Sequence, residues 1–99
     1  MTPEQPDDVR KNVGRRIAEL RHAQGRTQES VAEQLGMQMK NYQRIERGLQ
    51  NVTIKTLVRI ANALGVSTAE LFSPAAPREV RRGRPPKRRG PSSGGEGGA

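Results

Sequence analysis

Four glycines, Gly25, Gly36, Gly48 and Gly65, each follow a stretch in which apolar residues recur at every third or fourth position. Glycine takes the left-handed conformation that closes a helix without steric cost, so each reads as a helix stop. A chain stopped at these intervals is limited to short helices that must pack on one another. The first covers residues 8 to 24, with Val9, Val13, Ile17 and Leu20 on one stripe and Asp7 or Asp8 placed to cap it. The second is Gln28–Leu35, opened by Thr27 and burying Val31, Ala32 and Leu35. A third follows the turn Gly36-Met37-Gln38, in which Met37 re-enters the core. Ile54, Leu57, Ile60, Ala61 and Leu64 make a fourth amphipathic helix behind Thr53, and "STAE" announces a fifth, with Ser67 and Glu70 as a capping box before Leu71 and Phe72. With no strand pattern and no repeat, the expected fold class is all-α, a compact five-helix domain.

Such helices have little with which to build a large core. Only 31% of the 99 residues are hydrophobic, with one Tyr, one Phe and no Trp, so the core is small and aliphatic. A formal charge of +8 calls for a polyanionic partner, either nucleic acid or an anionic membrane surface. No window is apolar enough for a membrane span or a signal peptide, which favours a cytoplasmic, nucleoid-associated protein with no membrane partner. Without cysteine, and with a lone histidine, His22, off the apolar stripe, no disulfide or metal cluster is expected. Nor is there a paired-carboxylate or nucleophile constellation or a phosphate-cradling glycine loop. No cofactor and no enzymatic activity are expected.

Composition changes at Ser73. Residues 1 to 7 read as a flexible N-terminus, 8 to 72 as the helical domain, and 73 to 99 as a disordered basic tail rich in Pro and Gly. The tail is the more cationic part: residues 78 to 99 hold seven basic and two acidic residues, against eleven and eight in residues 1 to 77.

The second and third helices, joined by a short glycine turn, form a helix-turn-helix, whose second helix can enter a major groove. In "GMQMKNYQRIERG", Tyr42 and Ile45 point inward, which leaves Met39, Lys40, Gln43 and Arg44 outward. Arg44 and Lys40 suit the O6 and N7 acceptors of guanine, Gln43 suits adenine, and Met39 suits a thymine methyl. A solvated helix face would also explain these residues, and Met39 fits packing against a neighbouring helix equally well.

The runs "TQESVAEQLG", "RIERG" and "IANALGVSTAELF" resemble the lambda repressor and Cro-like (XRE-type) helix-turn-helix DNA-binding family over residues 12 to 72. The resemblance implies five helices, with the third as recognition helix. It implies that Gln28 meets a phosphate and that Gln38, Met39, Lys40, Gln43 and Arg44 lie nearest the bases. Arg47, Gln50 and Asn51, with Lys55, would line the adjoining backbone, and Arg21 and Glu46 would form a partly buried ion pair. Three positions depart from the family: Gln38 stands for a Ser or Thr cap, Asn41 for a common aromatic, and Tyr42 for an aliphatic residue, its hydroxyl expected at the rim or on a phosphate.

In the tail, "RRGRPPKRR" at residues 81 to 89 resembles an AT-hook, with Arg82, Gly83, Arg84 and Pro85 as the matching core and Arg81, Lys87, Arg88 and Arg89 as flanking cations. Pro86 departs from that motif. The resemblance implies minor-groove contact; a non-specific polycation is the alternative.

Together these features predict a sequence-specific transcriptional regulator, a repressor by promoter occupancy, bound to double-stranded DNA as a homodimer whose contact is the fifth helix with Leu71 and Phe72. Two other readings remain open. One is an architectural nucleoid-associated protein binding A·T-rich DNA, and the other an antitoxin-type DNA-binding protein that neutralises an unidentified protein partner.

Overall fold

The structure is a computed structural model, and it describes residues 3–76. α1, Pro6–Ala23, starts two residues earlier than the apolar stripe implied, because proline at the first turn has the helical φ built in and lacks only an N–H that would be unpaired there. Its N-cap, Gln5, makes no side-chain bond. Asp7 and Asp8 are therefore not caps; they lie inside the first turn, where the helix dipole favours negative charge.

α2, Gln28–Leu35, and α4, Ile54–Leu64, begin where Thr27 and Thr53 predicted: each threonine hydroxyl accepts from the N–H three residues on, Ser30 at 3.0 Å and Thr56 at 3.1 Å. α3, Met39–Glu46, opens at Gln38 with no side-chain cap. All four helices close through a 6→1 backbone bond across a glycine of φ 66–73°, for example Met37 N–H to Ala32 O at 2.9 Å and Leu49 N–H to Arg44 O at 2.9 Å.

The fifth element is not an α-helix. Thr68–Phe72 is a single 3-10 turn, and Ser67 forms no capping box. The Glu70 carboxylate that the box needed is drawn away by Arg16, whose Nη2 donates to Oε1 at 2.8 Å. Among the described residues there are thus four α-helices and one 3-10 turn, with no strand.

α1 packs against α3 and the 3-10 turn, α2 against α3 and α4, and α4 against the turn. Val13 and Ile17, Val31, Ala32 and Leu35, Tyr42 and Ile45, Leu57, Ile60, Ala61 and Leu64, with Leu71, fill the space between them. Val9, Leu20 and Met37 pack at its margin. Two expected positions differ: Ile54 begins α4 on the solvent side at 70% exposure, and Leu71 is fully buried, so it cannot form a dimer surface. Phe72 remains half exposed.

Gly14, in the middle of α1, sets how closely α3 approaches. A Cβ there would lie 2.4 Å from the Glu46 carbonyl oxygen and 2.6 Å from that of Ile45. The glycine lets the end of α3 rest directly on the α1 backbone.

Candidate nucleic-acid interface

α3 is eight residues long and lacks a side-chain cap, so its own hydrogen bonds do not account for its stability. Three of its residues, Tyr42, Ile45 and Glu46, are buried and attach it to the domain. Burial of Glu46 needs compensation. Arg21 of α1 grips its carboxylate with one edge of the guanidinium, Nε to Oε2 at 2.7 Å and Nη2 to Oε1 at 3.1 Å. The expected ion pair is present, and it is more deeply buried than anticipated, with Arg21 7% and Glu46 8% exposed. Arg21 Nη1 also donates to the Arg26 carbonyl at 2.9 Å, which ties the pair to the α1–α2 connection.

Two further donors converge on the same carboxylate: the Tyr42 hydroxyl on Oε2 at 2.5 Å and Gln28 Nε2 on Oε1 at 2.9 Å. Burial by itself would raise the Glu46 pKa. Hydrogen bonds from Arg21, then Tyr42 and Gln28, outweigh it and hold the carboxyl below its ordinary range. The Tyr42 phenol is pushed well above its usual value by burial and by its bond to Glu46. Its hydroxyl, expected at the rim or on a phosphate, is instead fully inside; a carboxylate one helical turn along α3 is the nearer acceptor.

The carboxylate also orients the surface above it. A carboxylate only accepts, so the amide nitrogen of Gln28 must face Glu46, and its oxygen then accepts from Gln43 Nε2 at 3.2 Å. Gln43 is thereby oriented from below, with its own oxygen left for an outside donor. Gln28 keeps a second N–H that is not used by Glu46.

The remaining expected contact residues are mostly exposed. Gln38 at the N-cap and Met39, Lys40 and Arg44 on α3 are exposed, followed by Arg47, Asn51 and Lys55, with Gln50 partly covered. Among the described residues the Arg44 side chain makes one hydrogen bond, to the Leu49 carbonyl at 3.4 Å. Met39 is 38% exposed and lies beside Thr27 and Gln28, on the surface rather than in the core. Residues 81 to 89 lie outside the described residues.

A feature not anticipated from the sequence adjoins this face. A cleft of about 900 Å³ runs along α1, lined by Lys11, Arg15, His22, Gln28 and Arg47 and closed on one side by Ala75 and Ala76. Lys11, Arg15 and Arg47 make no hydrogen bond or ion pair through their side chains among the described residues. The i, i+4 spacing of Lys11 and Arg15 opposite the apolar stripe was the available signal. No helix among the described residues is long and apolar enough to cross a membrane.

The geometry defines a helix-turn-helix domain whose third helix carries an exposed, largely polar face. The family model described as "Helix-turn-helix" matches residues 17–71. The chain is 45% identical over 67 residues to an uncharacterized HTH-type transcriptional regulator, y4dJ, from Sinorhizobium fredii, with 68% of this chain and 87% of that protein covered. Among solved structures it is similar to the restriction-modification controller protein C.AhdI from Aeromonas hydrophila, with TM-score 0.61, 37% identity, and coverage of 66% of this chain and 97% of that one. It is also similar to the controller protein C.Esp1396I, solved as a tetramer in complex with its natural 35 base-pair operator, with TM-score 0.59, 33% identity, and coverage of 65% and 84%. The chain belongs to the helix-turn-helix family, and it is a DNA-binding transcriptional regulator.

Proposed function

We propose that the protein represses transcription by occupying a two-fold DNA site as a homodimer, with α3 of each copy in the major groove. The observation that carries this reading is the line of hydrogen bonds from the buried Arg21–Glu46 pair through Gln28 to Gln43. A solvated helix face has no need of a glutamine held in one orientation. Base reading does, because adenine is recognised only when donor and acceptor meet its edge in the right order. Gln43 and Arg44 are the base readers. Lys40 and Met39 flank them, and Gln28, Arg47, Gln50 and Asn51 set the docking register on phosphates.

The tail adds to this as a cationic arm. Arg81, Arg82, Arg84, Lys87, Arg88 and Arg89 contact phosphates or an adjacent A·T minor groove, supported by the excess of five positive charges in residues 78 to 99. Repression then follows from occupancy alone. The half-exposed Phe72 at the end of the 3-10 turn is the side chain assigned to the contact between copies.

Selection of bound duplexes from a random pool, with the full chain and residues 1 to 77 in parallel at near-physiological salt, tests the reading. Both chains should enrich the same two-fold motif. Enrichment of unstructured A·T tracts by the full chain alone would overturn it in favour of a tail-dominated architectural protein.

A further inference from the structure

After the 3-10 turn the chain does not leave the domain. The Asn12 carboxamide binds it on both sides of Pro74: Nδ2 donates to the Ser73 carbonyl at 3.0 Å, and Oδ1 accepts the Ala75 N–H at 3.0 Å. One residue on, the Ala76 N–H donates to Glu19 Oε2 at 2.8 Å. Three hydrogen bonds to two side chains of α1 thus lay residues 73 to 76 along that helix. A surface segment with a proline and two alanines, with little apolar area to bury, has no other evident reason to lie there.

The place where it is held matters. Ala75 and Ala76 form one wall of the cleft whose other walls include Lys11, Arg15, Gln28 and Arg47. Gln28 is shared with the recognition face through its bond from Gln43. The chain is therefore delivered to the edge of the proposed DNA-binding surface, and its next basic residues are Arg78, Arg81, Arg82 and Arg84. Repulsion between a cationic arm and Lys11, Arg15 and Arg47, offset only in part by the Glu19 carboxylate in the same cleft, is relieved by a polyanion lying between them. At about 3.3–3.6 Å per residue, Arg82 can lie at most roughly 20 Å from Ala76, well under one duplex turn of about 34 Å.

We propose that Asn12 is a positioning residue for the cationic tail: it fixes the tail's departure point beside Lys11, Arg15 and Arg47, so that its arginines meet the phosphate backbone flanking the half-site at a set distance from α3. The proposal rests on the reading that α3 docks on DNA and that the tail contacts the same duplex.

Hydroxyl-radical footprinting on the selected site tests it, with the full chain, residues 1 to 77, which include the whole packed core, and the full chain carrying Asn12→Ala. Protection of a flank by the full chain that residues 1 to 77 lack is the expected baseline. Asn12→Ala should keep the half-site footprint and lose the flank, or smear it over neighbouring positions. The variant Ala75→Pro, which deletes the N–H given to Asn12 without altering α1, should do the same, and it decides the matter if Asn12→Ala melts the domain. Flank protection at unchanged positions in both variants would overturn the clamp while leaving the tail's DNA binding intact. Identical footprints for the full chain and residues 1 to 77 would overturn the tail's part in the function and the clamp with it. Absence of any half-site footprint would overturn the DNA-docking reading itself.

Discussion

Glu46→Ala is the perturbation whose size follows most directly from the structure. It leaves the Arg21 guanidinium, 7% exposed, with the Arg26 carbonyl and the His22 ring as its remaining neighbours, and leaves the fully buried Tyr42 hydroxyl without an acceptor. An uncompensated buried charge costs about 3–5 kcal/mol. The orphaned hydroxyl, about 1–3 kcal/mol by itself, overlaps with that cost, because one water in the vacated carboxylate volume serves both groups. At about 0.05–0.15 kcal/mol per residue, a domain of this size has roughly 4–11 kcal/mol in all, so the variant approaches the edge of folding. At about 4–8 °C per kcal/mol, the melting temperature should fall by roughly 12–40 °C. Urea and thermal unfolding followed by circular dichroism provide the measurement, with Glu33→Ala, an exposed carboxylate on α2, as the control. Unfolding free energies for the two variants within about 0.5 kcal/mol of each other would refute the reasoning. A second chain separates folding from recognition: Arg21→Met, Tyr42→Phe and Glu46→Leu together remove the polar network, and apolar replacement of such a pair is often neutral or better. That chain should fold, yet it takes from Gln28 the acceptor that orients it. Loss of one such hydrogen bond, about 0.5–1.5 kcal/mol, should weaken binding to the selected site by a factor of about 2 to 12.

The same carboxyl makes stability depend on pH. Its folded-state pKa is depressed, so the unfolded chain binds more protons in the acid range; the stabilisation is complete above the unfolded value of about 4.3 and is lost as pH falls through the lower folded value. Urea midpoints taken between pH 6 and pH 2 should show a decline that Glu46→Gln reduces. Gly14→Ala should push α3 off α1, because the new Cβ meets backbone rather than a movable side chain; a drop of at least about 1–3 kcal/mol in unfolding free energy is expected, and an unchanged midpoint would rule out the close approach. Gln43→Ala should flatten base preference at one position of each half-site by about 1–3 kcal/mol while leaving the other positions unchanged, as read from competition among single-substituted duplexes. Removing residues 78 to 99 should make the slope of log affinity against log salt shallower by about 0.9 for each phosphate that the tail neutralises; an identical slope would count against a tail bound to DNA.

The starts of α2 and α4 and the glycine stops are legible in the sequence because they depend on one or two local residues. Thr27 and Thr53 cap through their own hydroxyls, and the four glycines have the positive φ that their positions imply. The fifth helix is different because its signal, Ser67 with Glu70, is local while the outcome is not: Arg16, more than fifty positions earlier in the chain, takes the carboxylate. The depth of Tyr42 is hidden for the same reason, since nothing in "NYQRIERG" shows that Glu46 is already held by Arg21 and faces inward. Gly14 carries a visible sign, a glycine inside an unbroken helical stripe, whose meaning emerges only when the end of α3 is laid on it. Asn12 carries no sign at all; its role depends on residues 73 to 75 returning to α1.

These cases share a cause that bears on function. α3 has eight residues, no side-chain cap and no acidic residue in its first turn, so local chemistry does little to keep it helical. Its order comes from Tyr42, Ile45 and Glu46 below it and from the close backbone approach at Gly14. A helix stabilised from underneath keeps its whole outer face available for side chains chosen for what they bind. If α3 reads bases as proposed, exchanging the outer residues Met39, Lys40, Gln43 and Arg44 alters the site read while the buried set remains, whereas a change in the buried set moves the face as a unit. Substitutions at Gln43 or Arg44 should accordingly change sequence preference at nearly constant stability, and substitutions at Glu46 or Gly14 should lower affinity for all sites together with stability.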